Sequence, residues 1–166
     1  MFTLLDEYRR ELWNYVKMEK GFNTVREFVR KLPEVVHESM SNSFKSHEPI
    51  IVKYQQSQLY DKGEDSKGSI IRPAYTPFTV RMKKSKGQPT DRVTWKDTGK
   101  LYKSIEVIVR GDEVEINVFN VPYYKKLLEK YGEEVIGLQQ ELLKEFVNNF
   151  VVPDLKKMID DKLSKY

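Results

Sequence analysis

The sequence contains no cysteine. A disulfide framework, thiolate-ligated zinc or iron–sulfur centres and thiol catalysis are therefore excluded. Histidine is nearly as scarce: His37 and His47 are the only two in 166 residues. Each precedes a glutamate, but Met40-Ser41 and Ile50-Ile51 occupy the places where the second histidine of an H-E-x-x-H zinc motif would fall. No G-x-S-x-G elbow, no G-x-x-x-x-G-K-[ST] phosphate loop and no G-x-G-x-x-G fingerprint occurs. The expectation is a protein without enzymatic activity, without a cofactor and without a metal. No apolar run approaches the roughly 20 residues that span a bilayer. The opening MFTLLDEYRRELW carries charge where a signal peptide needs an apolar core, so synthesis in a cytosol and no membrane partner are expected.

What is present suits a folded domain. Apolar residues make up 39%, charged residues 33% and aromatics 12%, with 10 Tyr, 8 Phe and 2 Trp. Mean hydropathy is −0.63. The chain is too aromatic for compositional disorder, and its length fits one domain over 1–166. Charge is uneven. The formal total is +4, yet residues 81–103 hold Arg81, Lys83, Lys84, Lys86, Arg92, Lys96, Lys100 and Lys103 against Asp91 and Asp97. That segment is +6, which leaves 21 basic against 23 acidic residues elsewhere. A local basic segment suits a phosphate backbone or an acidic partner surface.

Periodicity divides the chain into a helical N-terminal part (1–60), a β part (69–119) with a basic loop (83–90), and C-terminal helices (122–165). Leu5, Tyr8, Leu12, Tyr15 and Val16 predict an amphipathic helix over 2–18, stopped at Gly21. Thr24-x-x-Glu27 reads as a capping box for a second helix carrying Val25, Phe28, Val29 and Leu32. Pro33 should break or restart it, with Val36, Met40 and Phe44 continuing to about 47. Pro49 opens a further helix to 60 with Ile51, Gln55 and Leu59 aligned. Residues 61–68 form a turn-rich connection with Gly63 and Gly68 available for positive φ. Short strands are expected at 70–72, 75–82 and 92–95, the second weakened by Pro77. Residues 83–90 should form a mobile loop from which Lys83, Lys84 and Lys86 project to dock on a partner.

The strongest local pattern is a hairpin, 101–110 against 113–119, joined at Gly111-Asp112 by a type II′ turn. That turn sets Arg110 opposite Glu113, Val109 opposite Val114, Val107 opposite Ile116 and Ile105 opposite Val118. All the apolar pairs then share one face. Beyond it, Pro122 begins a helix with Tyr124, Leu127, Leu128 and Tyr131 in line and Gly132 as C-cap. Leu138, Leu142, Leu143, Phe146, Val147 and Phe150 form an apolar stripe, and Pro153 starts a last helix with Leu155, Met158, Ile159 and Leu163. Helices, then strands, then helices predict an α+β fold with a small antiparallel sheet around the hairpin. Pro153-Asp154 with Asp160-Asp161-Lys162 loosely imitates a metal-nuclease pattern. On one helix these residues are instead the polar face of an amphipathic segment.

One stretch carries more than fold. Asp97-Thr98-Gly99-Lys100-Leu101-Tyr102-Lys103-Ser104-Ile105 matches D-T-G-x-L-x-x-S-I, and Tyr123-Tyr124 and Tyr131-Gly132 follow after the second strand. This order resembles the virion morphogenesis proteins of tailed bacteriophages, a family that includes head–tail joining, neck and tail-completion proteins. Residues 58–68, with Tyr75 and Thr79, resemble the variant found in phages of Bacteroides-like hosts. The resemblance covers roughly 58–138. It implies a structural virion protein made in the bacterial host cytoplasm. It also implies homo-oligomeric rings, six- or twelvefold, that contact portal, connector or tail proteins of the same virion, with non-specific DNA contact in the channel. By residue chemistry, Asp97 should accept backbone N–H bonds in a turn, Gly99 should take positive φ, and Trp95 and Leu101 should anchor the turn in the core. The alternative is a nucleic-acid-binding module. It would use Arg81, Lys83, Lys84, Lys86 and Arg92, with Tyr75, Phe78, Trp95 and Tyr102 as stacking residues.

Overall fold

A computed structural model describes residues 22–110 and 113–164 of the chain. The helix expected over 2–18 and the Gly111-Asp112 turn lie outside the described residues. The architecture is α+β: a two-stranded antiparallel sheet packed by N-terminal and C-terminal helices.

Helix α1 (Phe22–Ser46) runs through Pro33 without a break, and Thr24 lies inside it rather than at its N-cap. Pro33 is exposed, while Phe28, Leu32 and Val35 bury against Leu155 and Ile159 of the last helix. A proline inside a helix costs about 3 kcal/mol. Three buried apolar side chains at about 1.5–3 kcal/mol each outweigh it. Helix α2 (Glu48–Ser57) has Pro49 in its first turn and continues as a π-helical stretch, Gln58–Lys62, closed by Gly63 at φ 67°. Ile51, Gln55 and Leu59 are all buried on one side, as their spacing predicts.

The region expected to be β is less so. Residues 75–82 are not a strand: helix α3 (Pro77–Ser85) forms there. Pro77 presets the first helical φ, and Thr79 N donates to Thr76 Oγ1 at 3.3 Å to cap the turn. Residues 92–95 form no strand, and Trp95 takes φ 52°. Of 70–72 there remains an isolated bridge between Ile70 and Glu64. Residues Lys100–Lys103 are a single helical turn, so the first strand starts later than the alternation suggests.

Strands β1 (Ile105–Arg110) and β2 (Glu113–Val118) pair in the register read from the sequence, Ile105↔Val118 through Arg110↔Glu113. Val107, Val109, Val114 and Ile116 pack on a cluster built around Phe44, Ile51, Phe146 and Val151. Helix α4 (Tyr124–Tyr131) ends at Gly132, φ 90°, whose N–H reaches Leu128 O at 2.8 Å. Helix α5 (Gln140–Phe146), a second π-helical stretch (Val147–Val151) and helix α6 (Val152–Leu163) follow without interruption. Pro153 lies in the first turn of α6 as expected, but no break precedes it.

Three buried glutamines fasten the loop before α5 to the N-terminal helices. Gln55 Nε2 donates to Val135 O at 3.2 Å and its Oε1 accepts from Gly137 N at 2.8 Å. Gln58 Nε2 donates to Gly137 O at 2.9 Å and its Oε1 accepts from Gln139 N at 3.0 Å. Gln139 Nε2 in turn donates to Glu64 Oε2 at 2.7 Å. The Gln55 and Gln58 amides thus satisfy the main chain of 135–139, and Gln139 ties that segment to a carboxylate.

Candidate interaction site around residues 75–104

The Asp97-Thr98-Gly99 turn has the backbone that its residues demand. Gly99 takes φ 83° and caps the Lys100–Lys103 turn, while Lys100 N donates to Thr98 Oγ1 at 3.4 Å. Leu101 and Trp95 are buried in one cluster with Tyr102, Ile105 and Val118. Asp97 departs from expectation. Its carboxylate pairs with the Lys86 ammonium rather than with backbone N–H groups. Its carbonyl accepts from Gln88 Nε2 at 2.7 Å.

The two sequence-distant parts of the motif meet in space. The Trp95 ring lies 5.9 Å from that of Tyr131 and 6.3 Å, edge-on, from that of Tyr124. Such aromatic pairs add about 0.5–1.5 kcal/mol beyond buried area. The left-handed backbone at Trp95 is uncommon for a bulky residue and is held by this packing. Leu101 and Tyr131 therefore meet in one cluster with Trp95, while Asp97 and Thr98 stay exposed beside it.

The basic segment is tied down in part: Lys83, Lys86 and Arg92 are bonded, while Arg81 and Lys84 project. Lys83 is 7% exposed. Its Nζ donates to Lys96 O at 2.6 Å, Gln88 Oε1 at 3.1 Å and Thr94 Oγ1 at 3.4 Å, and lies 4.9 Å from the Tyr75 ring centre. A buried ammonium needs such a set, because leaving it dry and unbonded costs several kcal/mol. The expected loop 83–90 is thus the end of α3 and a bonded turn: Gly87 N reaches Lys84 O at 3.1 Å and Gln88 N reaches Lys83 O at 2.9 Å. Arg92 donates to Tyr60 O at 2.7 Å and pairs with Asp91. Lys96 lies over the Tyr60 ring at 4.2 Å. Of the five basic residues singled out, Arg81 and Lys84 are exposed with no acidic partner among the described residues; Lys83, Lys86 and Arg92 are engaged.

The aromatics interleaved with this segment are also engaged. Trp95 and Tyr102 are buried, and Tyr75 is half-buried with its hydroxyl accepting from Thr94 N at 2.7 Å. Tyr102 OH donates to Thr94 O at 2.6 Å, and burial pushes its phenol above the usual range. Phe78 remains, at 65% exposed. The burial of Lys83 and the exposure of Phe78 and Met82 were not legible from residue type. The local signal was Thr76-Pro77 as a helix start, which sets Phe78 and Met82 one turn apart.

His37 is exposed, and His47 Nδ1 lies 2.9 Å from Ser43 O and 3.5 Å from Asp154 Oδ2. Among the described residues no group of three or more His, Asp or Glu could hold a metal ion, and no helix is long and apolar enough to cross a membrane. Asp154, Asp160, Asp161 and Lys162 all lie on α6, and Lys162 donates to Glu38 Oε2 at 3.0 Å. No protein-family model, curated protein or solved structure matches this chain.

Proposed function

We propose that this is a structural virion protein of a tailed phage, forming an oligomeric ring at the head–tail junction, as a neck or tail-completion component. The observation that carries the reading is the meeting of the two motif parts. D-T-G-x-L and Tyr-Gly flank the hairpin, whose antiparallel pairing brings its ends together, and Leu101 and Tyr131 there share one cluster with Trp95. In this reading the motif is an assembly scaffold. Its turn and buried aromatics fix α3 and the hairpin, and these present surfaces to neighbouring copies and to portal, connector or tail proteins. The protein acts in the virion after synthesis in the host cytoplasm, and its work is positioning rather than chemistry.

The test has two parts. Portal, capsid or tail genes should flank this gene, and electron microscopy of the purified chain should show closed rings. A gene set among metabolic or regulatory neighbours, together with a chain that never assembles, overturns the reading. The nucleic-acid alternative retains exposed Arg81, Lys84, Lys100 and Lys103 but only Phe78 as an exposed stacking residue among its four aromatics. It predicts salt-sensitive binding of single-stranded DNA that is lost in Phe78→Ala.

A further inference from the structure

Helix α3 is packed the opposite way round from a helix that only fills space. Its one buried residue is Lys83, while Phe78 and Met82, one turn apart, are 65% and 45% exposed. Exposing these side chains and burying a lysine are both unfavourable in an isolated chain. The inward side is secured by polar bonds instead: the Thr76 cap, the three acceptors around Lys83, and the Lys86–Asp97 pair. The helix is thereby held firmly with its apolar side outward. Arg81 lies beside Phe78 on the exposed side and Lys84 is exposed at its edge, and together they make that surface positive.

The same chain carries a counter-surface. Alternation places Glu106, Ile108 and Arg110 of β1 opposite Asn117, Glu115 and Glu113 of β2, on the side of the sheet away from Val107 and Ile116. Glu106, Arg110, Glu113 and Glu115 are exposed, with Ile108 half-buried in their midst. Arg110 reaches Glu115 at 3.5 Å, and Glu106 and Glu113 make no ion pair among the described residues. This face is net negative around an apolar centre, the inverse of α3.

We propose that α3 of one copy docks on the outward hairpin face of a second copy. Phe78 and Met82 cover Ile108, and Arg81 and Lys84 meet Glu106 and Glu113. A symmetric α3-to-α3 contact is disfavoured because it would bring the basic residues together. The two patches differ, so the contact is heterologous, and its repetition closes into a ring or extends as a filament. The inference rests on the ring reading and names the surfaces that would close it.

Sedimentation velocity of the full chain tests it. Wild type should sediment as an oligomer that loosens at high salt. Phe78→Asp, with the fold of the monomer unchanged by circular dichroism because the side chain is exposed, should weaken association roughly 30-fold or more, as for a central interface residue. Reversing Arg81 and Lys84 to Glu, or Glu106 and Glu113 to Lys, should each weaken it, and all four changes in one chain should restore it. An oligomer insensitive to Phe78→Asp, or no restoration, overturns this contact while leaving the ring reading standing. A photoreactive residue at position 78 that cross-links to residues 1–21 of its own chain, not to a second copy, overturns it too. So does a wild type that stays monomeric; gene neighbourhood, which is independent of self-association, then judges the virion reading separately.

Discussion

The β1–β2 hairpin and the segment 75–99 are near neighbours in sequence and are held by different physics. In the hairpin, four half-buried apolar residues on one face pack against Phe146 and its neighbours, and the pairing follows from alternation and turn length. In the segment, a lysine ammonium, a carboxylate, two threonines and a tyrosine hydroxyl hold a helix and a turn that no hydrophobic period describes. Burial is non-directional and leaves a repeating trace in the sequence. Hydrogen bonds between residues ten or twenty apart leave none.

If that contrast is right, mutations should separate the two regions. The largest effect is expected on the apolar side. Phe146 is fully buried and stacks with Phe44 at 5.4 Å, so Phe146→Ala should cost about 3–5 kcal/mol in denaturant unfolding. Within the hairpin, Val107→Asp should cost about 2–3 kcal/mol by placing a charge against the apolar cluster. Ile108→Asp on the opposite face should cost less. Equal costs would mean that the register does not set which side is buried.

On the polar side, Lys83→Met keeps the apolar stem and removes the ammonium. It should cost about 1–3 kcal/mol, because Lys96 O and Gln88 lose a buried donor. Hydrogen exchange should quicken around 76–99 before it does in the hairpin. A Lys83→Met protein more stable than wild type would show that apolar packing could have served here as well.

The smallest effect concerns Lys67 and Glu134, whose side chains meet at 2.9 Å on the surface. The hydrogen bond from Lys67 holds the Glu134 carboxyl below its usual range, and the same bond holds the Lys67 ammonium above its own. The carboxylate contribution is therefore present above the ordinary glutamate value and lost as pH falls through the depressed one. The ammonium contribution is present below the ordinary lysine value and lost as pH rises through the raised one. Lys67→Met should flatten the acid limb of the stability curve slightly, and salt should hide the difference.

The legible parts of the fold follow this division. The hairpin register, the Ile51-Gln55-Leu59 face and the Gly63, Gly99 and Gly132 backbones were all readable, because period or positive φ dictates them. Pro33 misled, since tertiary packing overrode a local breaker. Residues 75–82 misled because β-branched and aromatic residues suggested a strand, whereas Thr76-Pro77 is a sound helix start. Of the basic residues expected at the surface, Lys83 is interior, and only the positions of its three acceptors account for that.

The wide turn at Val147–Val151 works as a phase shifter. Val152 N–H reaches back five residues to Val147 O, and Pro153 just after it has no amide hydrogen to give Asn149. Ordinary helical winding would turn Val151 about 140° away from Phe146, at roughly 100° per residue. The slack turn brings both into one cluster and then hands the rod on to α1 through Leu155 and Ile159. One rod thus serves two partners whose directions do not match. The reading frame of that rod matters more than the identity of its exposed letters: inserting or removing one residue in the regular winding of α6 before Leu155 would turn Leu155 and Ile159 away from α1 by about 100°.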